Sequence, residues 1–476
     1  MDHQKTPLYD ALRQFAKTTA YSFHVPGHKN GSLFNLPELS QIARLDATEL
    51  SFLDQLHDPD GVILEAEEYV RDWYGSKASF FSVGGSTAGN QALVLSAVKR
   101  GDKVLVPRNC HQSVLHGCWL AGAVPVTLPA EWDQRTRLAV GVSIQIICDA
   151  IERVPDAKAI VLTYPSYDGF TFAIQDIITL AKERGLIVIV DEAHGAHFSV
   201  DPDTFPPSAL ALGADGVVHS AHKTLPALTM AGFVHLGRES VLDESRVRRA
   251  LGIVQTSSPS YLVMASLDVA RSYVATFTQA DRDALRSTLM EFRKIVADAG
   301  PWEVVEEGDL LKLVLYLPGH GFTLQQKLHE QGLFTELASV DHVLLVLPLI
   351  KNNLSHKQEL LDTLPKIKRA GEDIEYEQNK PAQQFRGKTF TELTSVFTTF
   401  EDVLWAEREW VSAQEAVERV VADSIVPYPP GIPLFFPGET VDEKRLHELL
   451  AFTKEGGHVQ GAFRLNNEQI EILIAK

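Results

Sequence analysis

LIVIVDEAHGAHF, residues 186–198, consists of five apolar residues followed at once by the carboxylate of Asp191 and a small, histidine-rich turn. A short Val- and Ile-rich run of this kind predicts a buried strand of a parallel sheet. Comparable runs before and after it, AIVLTYP, DGVVHSAH and GFVHLG, alternate with helical patterns such as DIITLAKERG. This alternation predicts an α/β fold, in which a mostly parallel sheet is covered by helices on both faces.

The distribution of apolar, polar and proline-rich stretches along the whole sequence predicts that the chain has four parts. Residues 1–60 form an N-terminal segment that contains SFHVPGHKNG, which is too irregular for a helix or a strand. Residues 61–290 form the large domain with the parallel sheet, and residues 291–380 form a smaller α/β domain around DLLKLVLYLP and HVLLVLPLI. Residues 381–476 form a C-terminal subdomain marked by the proline-rich stretch IVPYPPGIPLFFPGE.

The composition of the 476-residue chain limits its partners and its compartment. Its 44 basic and 62 acidic residues give a formal net charge of −18, which argues against binding to nucleic acid or to an anionic membrane. Cys110, Cys118 and Cys148 form no CxxC pair or metal-ligand spacing, as expected in a reducing compartment. Because no apolar stretch approaches the roughly 20 residues of a membrane span, we expect a soluble cytoplasmic protein.

Four segments with polar residues follow predicted strands, where open α/β sheets place their ligands. The first, FFSVGGSTAGNQA at residues 80–92, has Gly, Ser and Thr residues at the start of a helix. Its N–H groups and hydroxyls can bind an anion, although a turn of this composition alone is more often only a helix cap. The second contains His111 in VPRNCHQSV, which can stack on a flat ring but is by itself more often structural.

The third segment is the stretch that ends at Phe198. A carboxylate at the end of an apolar strand, as Asp191 is, needs a cationic partner or hydrogen bonds. A metal held by Asp191, His194 and His197 is an alternative, but the spacing matches no zinc motif and we predict no metal site. Ala193 is small enough to leave room for a flat ring over the strand end.

The fourth segment, VVHSAHKTLPAL at residues 217–228, puts Lys223 at an apolar corner, flanked by Ser220 and His222. A lysine in such surroundings has a depressed pKa and can act as a neutral amine nucleophile. Because one further crossover separates it from Asp191, both side chains can face the same crevice. An anion cradle, a stacking ring, a carboxylate and a nucleophilic lysine together predict a pyridoxal 5'-phosphate (PLP) site.

These residues stand in motifs that resemble the bacterial ornithine/lysine/arginine decarboxylases, which are PLP-dependent enzymes of fold type I. The similarity is to the short, Bacillus-type form that lacks the N-terminal receiver-like domain, and it extends over residues 23–439. It implies a PLP-binding large domain with a mostly parallel seven-stranded sheet and a smaller α/β C-terminal domain. The motifs are FHVPGHKNG, DATELSFLDQLHDPDGVILEAE, FFSVGGSTAGNQA, PRNCHQSV, VDEAHGAH, SAHKTLPA, QTSSPSYLVMASLDVAR and YPPGIPLFFPGE.

The resemblance also implies a role for each candidate site residue. Lys223 would form the internal aldimine with PLP, Asp191 would keep the pyridine nitrogen protonated, and His222 would be a further catalytic residue. His111 would stack on the ring, and Ala193 would pack against the opposite face. The remaining cofactor contacts would be Ser86, Thr87, His194, Ser220, His222 and, reaching across the interface of a homodimer or higher homo-oligomer, Ser258.

The resemblance also implies a substrate-binding residue. Glu336, in LFTELAS, matches a family glutamate near the distal end of a basic substrate. Two stretches depart from the family pattern. Tyr164-Pro165-Ser166-Tyr167, followed by Asp168, stands in place of the usual Asn-Pro-Thr-Tyr, and Asp-Pro-x-Lys is kept only in part, as Asp309 to Lys312. Both departures lie near the expected substrate site, so they bear on which basic amino acid is used.

The resemblance implies α-decarboxylation of a small basic amino acid, either lysine, arginine or ornithine, to a diamine or agmatine in polyamine metabolism. Lys223 or His222 would return a proton to Cα after carbon dioxide has left. Two alternatives stay open, an aminotransferase or aldolase of the same fold and a non-catalytic PLP-binding regulatory protein. An aminotransferase normally needs an arginine on the α-carboxylate, and no arginine of the small domain clearly fits that role.

Overall fold

The computed structural model describes residues 1–18, 21–372, 374, 394–395, 400–428, 432–454, 457–464 and 467–474. Residues 429–431 of the proline-rich motif therefore lie outside the described residues. Up to residue 297 the elements are α1 (Pro7–Phe15), α2 (Pro37–Ala43), α3 (Val62–Tyr74), β1 (Ala78–Ser82), α4 (Gly85–Ala97), β2 (Lys103–Pro107), α5 (Gln112–Ala121), β3 (Val124–Leu128), β4 (Glu131–Trp132), β5 (Ala139–Gly141), α6 (Ile144–Arg153), β6 (Ala157–Thr163), α7 (Ile174–Glu183), β7 (Ile187–Asp191), β8 (Gly216–His219), α8 (Ala221–Thr224), β9 (Gly232–Leu236), α9 (Glu244–Val254), α10 (Tyr261–Ala275) and α11 (Gln279–Ala297).

Beyond residue 297 the elements are shorter. They are β10 (Glu303–Val305), β11 (Lys312–Tyr316), α12 (Gly321–Glu330), β12 (Leu337–Ala338), β13 (His342–Val346), α13 (Leu354–Leu361), α14 (Leu364–Glu372), β14 (Thr394–Ser395), α15 (Phe400–Trp405), β15 (Arg408–Ser412), β16 (Ile425–Tyr428), α16 (Glu443–Lys454), β17 (His458–Gly461), β18 (Phe463–Arg464) and β19 (Gln469–Leu473). Strands β10 to β13 form an antiparallel sheet in the order β10-β11-β13-β12.

The main sheet has the strand order β1-β9-β8-β7-β6-β2-β3-β14. Neighbouring strands from β8 to β3 pair in parallel, and β9 is antiparallel to both β8 and β1. The seven longer strands confirm the predicted mostly parallel sheet of fold type I. The observed sheet differs from the predicted one by an eighth strand, β14, which has two residues and pairs antiparallel with β3. This strand was not predicted because two residues carry no periodicity.

The described part of the chain divides into a main sheet and smaller sheets, but the boundaries predicted at residues 60, 290 and 380 stay predictions. β14 lies within the predicted C-terminal subdomain and nevertheless extends the large sheet. No helix among the described residues is both long and apolar enough to cross a membrane.

The central strand β7 explains why the sheet is covered on both faces. Val188 and Val190 are fully buried in one apolar core, which includes side chains of α7 and α10. Ile189, on the opposite face of the strand, is fully buried in a second core with side chains of α4, α5 and α9. Successive residues of a strand point to opposite faces, so a continuous apolar run requires an apolar layer on each side.

The smaller antiparallel sheet joins the large domain at the carboxyl end of β6. Gly169, in the loop after β6, has φ +95°, and a Cβ atom on it would lie only 2.6 Å from Lys312 Cβ. The N–H of Asp309 donates to the carbonyl oxygen of Gly169 over 3.0 Å. A residue without a side chain is therefore needed where β11 approaches the loop, and this contact brings Lys312 to the carboxyl edge of the main sheet.

A buried ionic cluster joins the C-terminal region to the large domain. Arg108, just after β2, forms an ion pair with Glu439, and Arg445 Nη1 donates to the same carboxylate over 3.0 Å. Burial alone would raise the pKa of Glu439, but the two guanidinium groups hold that pKa below its usual range. The end of the proline-rich motif is thus docked against the segment that leads to His111.

Candidate active site

The carboxylate of Asp191 is held in place by hydrogen bonds. It ends β7 and is 4% exposed. Asn90 Nδ2, from α4, donates to Asp191 Oδ2 over 2.8 Å, and the backbone N–H of Ala193 donates to Oδ1 over 3.2 Å. Asn90 Nδ2 also donates to Ser113 Oγ over 3.0 Å. These donors offset the cost of burying the carboxylate and fix its orientation.

The amine of Lys223 lies at the same edge of the sheet, as the sequence predicted. Lys223 is on the short helix α8, directly after β8, and its Nζ lies 2.9 Å from His194 Nε2. Burial lowers the pKa of Lys223, and the nearby charges of Asp191 and Glu336 oppose that shift in part. A lysine with a lowered pKa is more often an uncharged amine, which is the nucleophilic form.

His194 makes a second contact to an amine, which the sequence did not predict. Its Nδ1 lies 2.8 Å from Lys312 Nζ, and both residues are buried. Burial, followed by the charges of Lys312 and Lys223, lowers the pKa of His194 well below its usual value, so the imidazole is neutral. Burial lowers the pKa of Lys312 to about 8, while Asp309 and Glu336 act in the opposite direction.

The predicted phosphate-binding residues lie around the start of α4. Ser86 Oγ lies 2.7 Å from Ser220 Oγ, so the turns after β1 and β8 meet. Gly85, the first residue of α4, has φ +71°, a conformation that favours glycine. Thr87 is exposed in the first turn of the helix, and His222 Nδ1 contacts the carbonyl oxygen of Ala231 at 3.2 Å. The N–H groups of this first turn can bind an anion.

His111 and Ala193 flank the region between Asp191 and Lys223. His111 is the N-cap of α5, with Nδ1 accepting from the Ser113 backbone N–H over 3.2 Å. Burial of the ring nitrogens and the charge of Lys223 lower the pKa of His111, and Asp191 opposes that shift. Ala193 is 6% exposed. Stacking of a flat ring on His111 stays a prediction.

The substrate-side residues meet next to His194. The Tyr167 hydroxyl donates to Glu336 Oε1 over 2.5 Å, and the Tyr167 ring stands edge-on to the His194 ring at 4.8 Å. Lys312 Nζ lies 5.5 Å from the centre of the Tyr167 ring. Burial raises the pKa of Asp168 to about 6, against the opposing charge of Lys312. The stretch from Tyr164 to Asp168, which departs from the family pattern, therefore reaches Glu336 through Tyr167.

One predicted site residue, Ser258, and one residue of the alternative metal site, His197, lie apart from this cluster. Ser258 is exposed on the loop between α9 and α10, where its N–H donates to Thr256 Oγ1 over 3.3 Å, so its predicted contact with a second subunit's phosphate stays a prediction. His197, considered as a metal ligand, contacts Asp309 Oδ1 at 3.0 Å in the buried domain junction. Among the residues that the structure describes, no group of three His, Cys, Asp or Glu side chains is placed to hold a metal ion.

Asn90 was not predicted as the partner of Asp191, and Lys312 was indicated only as part of an incomplete motif. A signal for Asn90 exists, because it follows Ser86 by one helical turn and so lies on the same face of α4. Lys312 has no such signal, since its contact with His194 depends on how β11 docks against the large domain.

The residues present fit PLP. The first-turn N–H groups of α4 and the neighbouring hydroxyls of Ser86 and Ser220 can bind a phosphate, and Lys223 is an amine of lowered pKa for an aldehyde. Asp191 is a buried carboxylate whose orientation is set by Asn90, as a partner for a pyridinium nitrogen must be. The fold and this edge of the sheet define an enzyme of PLP-dependent fold type I.

The chain belongs to the Orn/Lys/Arg decarboxylase family. Residues 6–311 match the major domain of that family, and residues 380–463 match its C-terminal domain. Together the two matches include most of the chain and confirm the resemblance stated from the motifs.

Three known proteins show how far the similarity extends. The Bacillus subtilis protein named "Uncharacterized protein YaaO" is 40% identical, with 98% of each chain covered. The arginine decarboxylase of Bacillus subtilis is 30% identical, over 97% of this chain and 96% of its own length. The crystal structure of the Francisella novicida lysine decarboxylase LdcF has a TM-score of 0.82 at 19% identity, covering 98% of this chain and 81% of that chain, and it shows the shared fold.

Proposed function

We propose that this protein is a PLP-dependent decarboxylase of a basic amino acid. The observation that carries the proposal is the pairing of Lys223, an amine of lowered pKa, with the anchored carboxylate of Asp191 at one edge of a fold type I sheet. Family membership supports the decarboxylase class.

The residues of the large domain would hold the cofactor and set its charge. Ser86, Ser220 and the N–H groups at the start of α4 would bind the phosphate, while Lys223 would hold the aldehyde carbon. Asp191, kept in orientation by Asn90, would keep a proton on the pyridine nitrogen. When bound, PLP supplies an electron sink for the electron pair that the departing carboxylate leaves behind.

The substrate's cationic end would bind at Glu336. Its carboxylate is exposed, and the hydrogen bond from Tyr167 holds it in a defined direction. A carboxylate in this position favours lysine, arginine or ornithine over neutral amino acids. Arginine is the first substrate to test, because the similar Bacillus subtilis enzyme is named an arginine decarboxylase.

The proton that replaces the carboxylate would come from the side chains next to Lys223. We propose Lys223 itself or His222 as the donor to Cα, since both follow β8 at the same corner. The Lys223 amine also contacts His194 at 2.9 Å, so a route for its reprotonation exists.

We further propose that the protein acts as a homodimer in the cytoplasm and contributes to polyamine formation. The homodimer is proposed from the family resemblance, in which a residue of the stretch around Ser258 reaches the partner's phosphate, and Ser258 is exposed, as such a contact requires. The three cysteines are unpaired, which fits a reducing compartment.

The test is release of labelled carbon dioxide from carboxyl-labelled arginine, lysine and ornithine by the PLP-loaded protein, with and without an α-keto acid. We expect release from at least one of the three, independent of the keto acid. Consumption of the amino acid that requires the keto acid, with no carbon dioxide, would identify an aminotransferase instead. A protein that binds PLP but releases no carbon dioxide from any of the three would contradict the proposal.

A further inference from the structure

A buried imidazole in the candidate site lies between two lysine amines. His194 is 7% exposed, with Nε2 2.9 Å from Lys223 Nζ and Nδ1 2.8 Å from Lys312 Nζ. Lys223 lies on α8, directly after strand β8 of the main sheet, whereas Lys312 is the first residue of β11 in the smaller sheet. The His194 ring therefore connects the two parts of the molecule at the amine that would hold the cofactor.

The hydrogen-bonding capacity of these three groups restricts their protons. A neutral imidazole has one N–H donor and one acceptor nitrogen, whereas an ammonium group has donors only. The acceptor nitrogen of His194 can receive a hydrogen bond from a charged lysine. Its N–H can be donated only to a lysine that is an uncharged amine. With both contacts formed, the two lysines therefore hold at most one ammonium charge between them.

The surrounding charges favour the ammonium form on Lys312. Burial and the charge of Lys223 lower the pKa of Lys312, but three carboxylates, those of Asp309, Glu336 and Asp168, act in the opposite direction, and the face of the Tyr167 ring lies 5.5 Å from its Nζ. Lys223 is influenced by Asp191, which already accepts two hydrogen bonds, and by Glu336. The titratable groups that face the three side chains from all adjoining elements are His111, Tyr167, Asp168, Asp191, His197, Asp309 and Glu336.

We propose that Lys312 is a positioning residue which, through His194, keeps Lys223 an uncharged amine before the cofactor is attached and returns a proton to it when it is released. This inference rests on the proposed function only in taking Lys223 as the cofactor lysine. It concerns the protonation of the chain's own side chains and adds a role for a residue outside the large domain.

The proton transfer balances within the three residues. A proton leaves Lys312 Nζ for His194 Nδ1, while the proton on His194 Nε2 passes to Lys223 Nζ. Lys312 becomes an uncharged amine, Lys223 becomes an ammonium group, and His194 remains neutral in its other tautomer. The reverse transfer restores the nucleophilic amine on Lys223, so neither direction needs a further reactant.

The experiment measures the protonation of Lys223 in the full-length protein after removal of PLP. Trace labelling with acetic anhydride over about pH 6 to pH 11 modifies only uncharged amines, and mass spectrometry separates the peptides with Lys223 and Lys312. We expect two-step labelling curves for both lysines in the wild-type protein, because two groups that share a proton titrate as a pair.

Two substitutions distinguish a shared proton from a merely structural contact. Lys312→Met removes the cation, so the Lys223 curve becomes a single step with a higher midpoint, and labelling below that midpoint slows by roughly tenfold for each unit of pKa shift. Lys312→Arg keeps a fixed cation that does not give up its proton, so the Lys223 midpoint stays low while the second step disappears.

Lys351→Met is the matched control. Burial also lowers the pKa of Lys351, but its Nζ contacts Thr276 Oγ1 at 2.7 Å, away from the site, so the Lys223 curve should not change. An unchanged Lys223 midpoint in folded Lys312→Met, or a second step that persists in Lys312→Arg, would overturn the inference. If Lys312→Met does not fold, the Lys312→Arg curve decides. Failure of carbon dioxide release would refute the proposed decarboxylase without altering these labelling curves.

Discussion

Asp191 and Asn90 meet on one side of the candidate site, where both belong to the large domain, whereas Lys312 and Glu336 reach the other side from the smaller sheet. On the first side, a strand end and the helix behind it hold the carboxylate through a 2.8 Å hydrogen bond. On the second side, the contacts exist only because β11 docks against the loop at Gly169. The proposed cofactor side therefore depends on one sheet, and the proposed substrate side depends on the contact between two sheets.

This difference predicts which substitutions act on chemistry and which act through docking. Changes at the sheet edge should reduce turnover without loosening the fold, because the strands there are anchored by apolar layers on both faces. Changes where β11 contacts the loop at Gly169 should alter stability, substrate affinity and pH dependence together. The same contacts hold the two sheets together and position the side chains of Lys312 and Glu336.

The largest expected effect is that of Lys223→Ala, on the sheet side. Loss of the amine should lower kcat by about a thousandfold or more and remove the visible absorbance of the lysine-bound cofactor. Steady-state carbon dioxide release and an absorbance spectrum measure both. Lys182→Ala, a half-buried lysine on α7 outside the site, is the control and should leave both values unchanged. Full activity in Lys223→Ala would show that this amine does not hold the cofactor.

Asp191→Asn should have the next largest effect. The amide keeps the size of the side chain but removes the charge that balances a protonated pyridine nitrogen, so kcat should fall by about 100- to 1000-fold. Asn90→Ala leaves the charge and removes one hydrogen bond to it, so its effect should be roughly tenfold. Equal losses of kcat for the two variants would show that orientation, rather than charge, is what Asp191 provides.

Gly169→Ala tests the domain junction directly. A Cβ atom there would lie 2.6 Å from Lys312 Cβ, on a backbone with φ +95°, so we expect a loss of unfolding free energy of about 3 kcal/mol. KM for the amino acid should rise as well, because Lys312 moves. Gly185→Ala is the matched control, with φ +76° and open space around the new Cβ. Urea unfolding that shows the same loss for both variants would mean that backbone strain alone matters.

The junction should also make stability depend on pH. Burial lowers the pKa of Lys312 to about 8, so between that pH and the usual lysine value the unfolded chain binds more protons than the folded one. Unfolding free energy should therefore rise with pH over this window, by on the order of 2 kcal/mol. Comparing urea midpoints at the two ends of the window in the wild type and Lys312→Met measures it. If the urea midpoint of the wild type fell with pH as the midpoint of Lys312→Met does, the lowered pKa of Lys312 would be contradicted.

Tyr167→Phe should have the smallest effect. It removes the hydrogen bond to Glu336 and leaves the ring against His194, which should raise KM about fivefold, or about 1 kcal/mol, with little change in kcat. Tyr273→Phe removes a hydroxyl that donates to the Leu349 carbonyl oxygen over 2.8 Å and should not change KM. A loss of kcat without a change in KM would place Tyr167 in the chemistry instead.

The two sides of the site also differ in how well they could be predicted. Except for Ser258, the candidates of the cofactor side lie shortly after apolar strands. The carboxyl ends of parallel strands share one edge, so Asp191 and Lys223 could be placed together from periodicity. Their roles as cofactor ligands stay predictions. The contact of Lys312 with His194 had no such signal, because the residues are far apart in sequence and belong to different sheets.

By itself, the sequence determined the alternation of strands and helices, the mostly parallel sheet and the strand ends at which polar residues collect, because these follow from local apolar periodicity. The tertiary structure alone decided that Asn90 anchors Asp191, that Tyr167 holds Glu336 and that His194 lies between two amines. The physical reason is that hydrogen bonds and pKa shifts depend on distances of a few ångströms between distant segments, and those distances are set only when the domains pack.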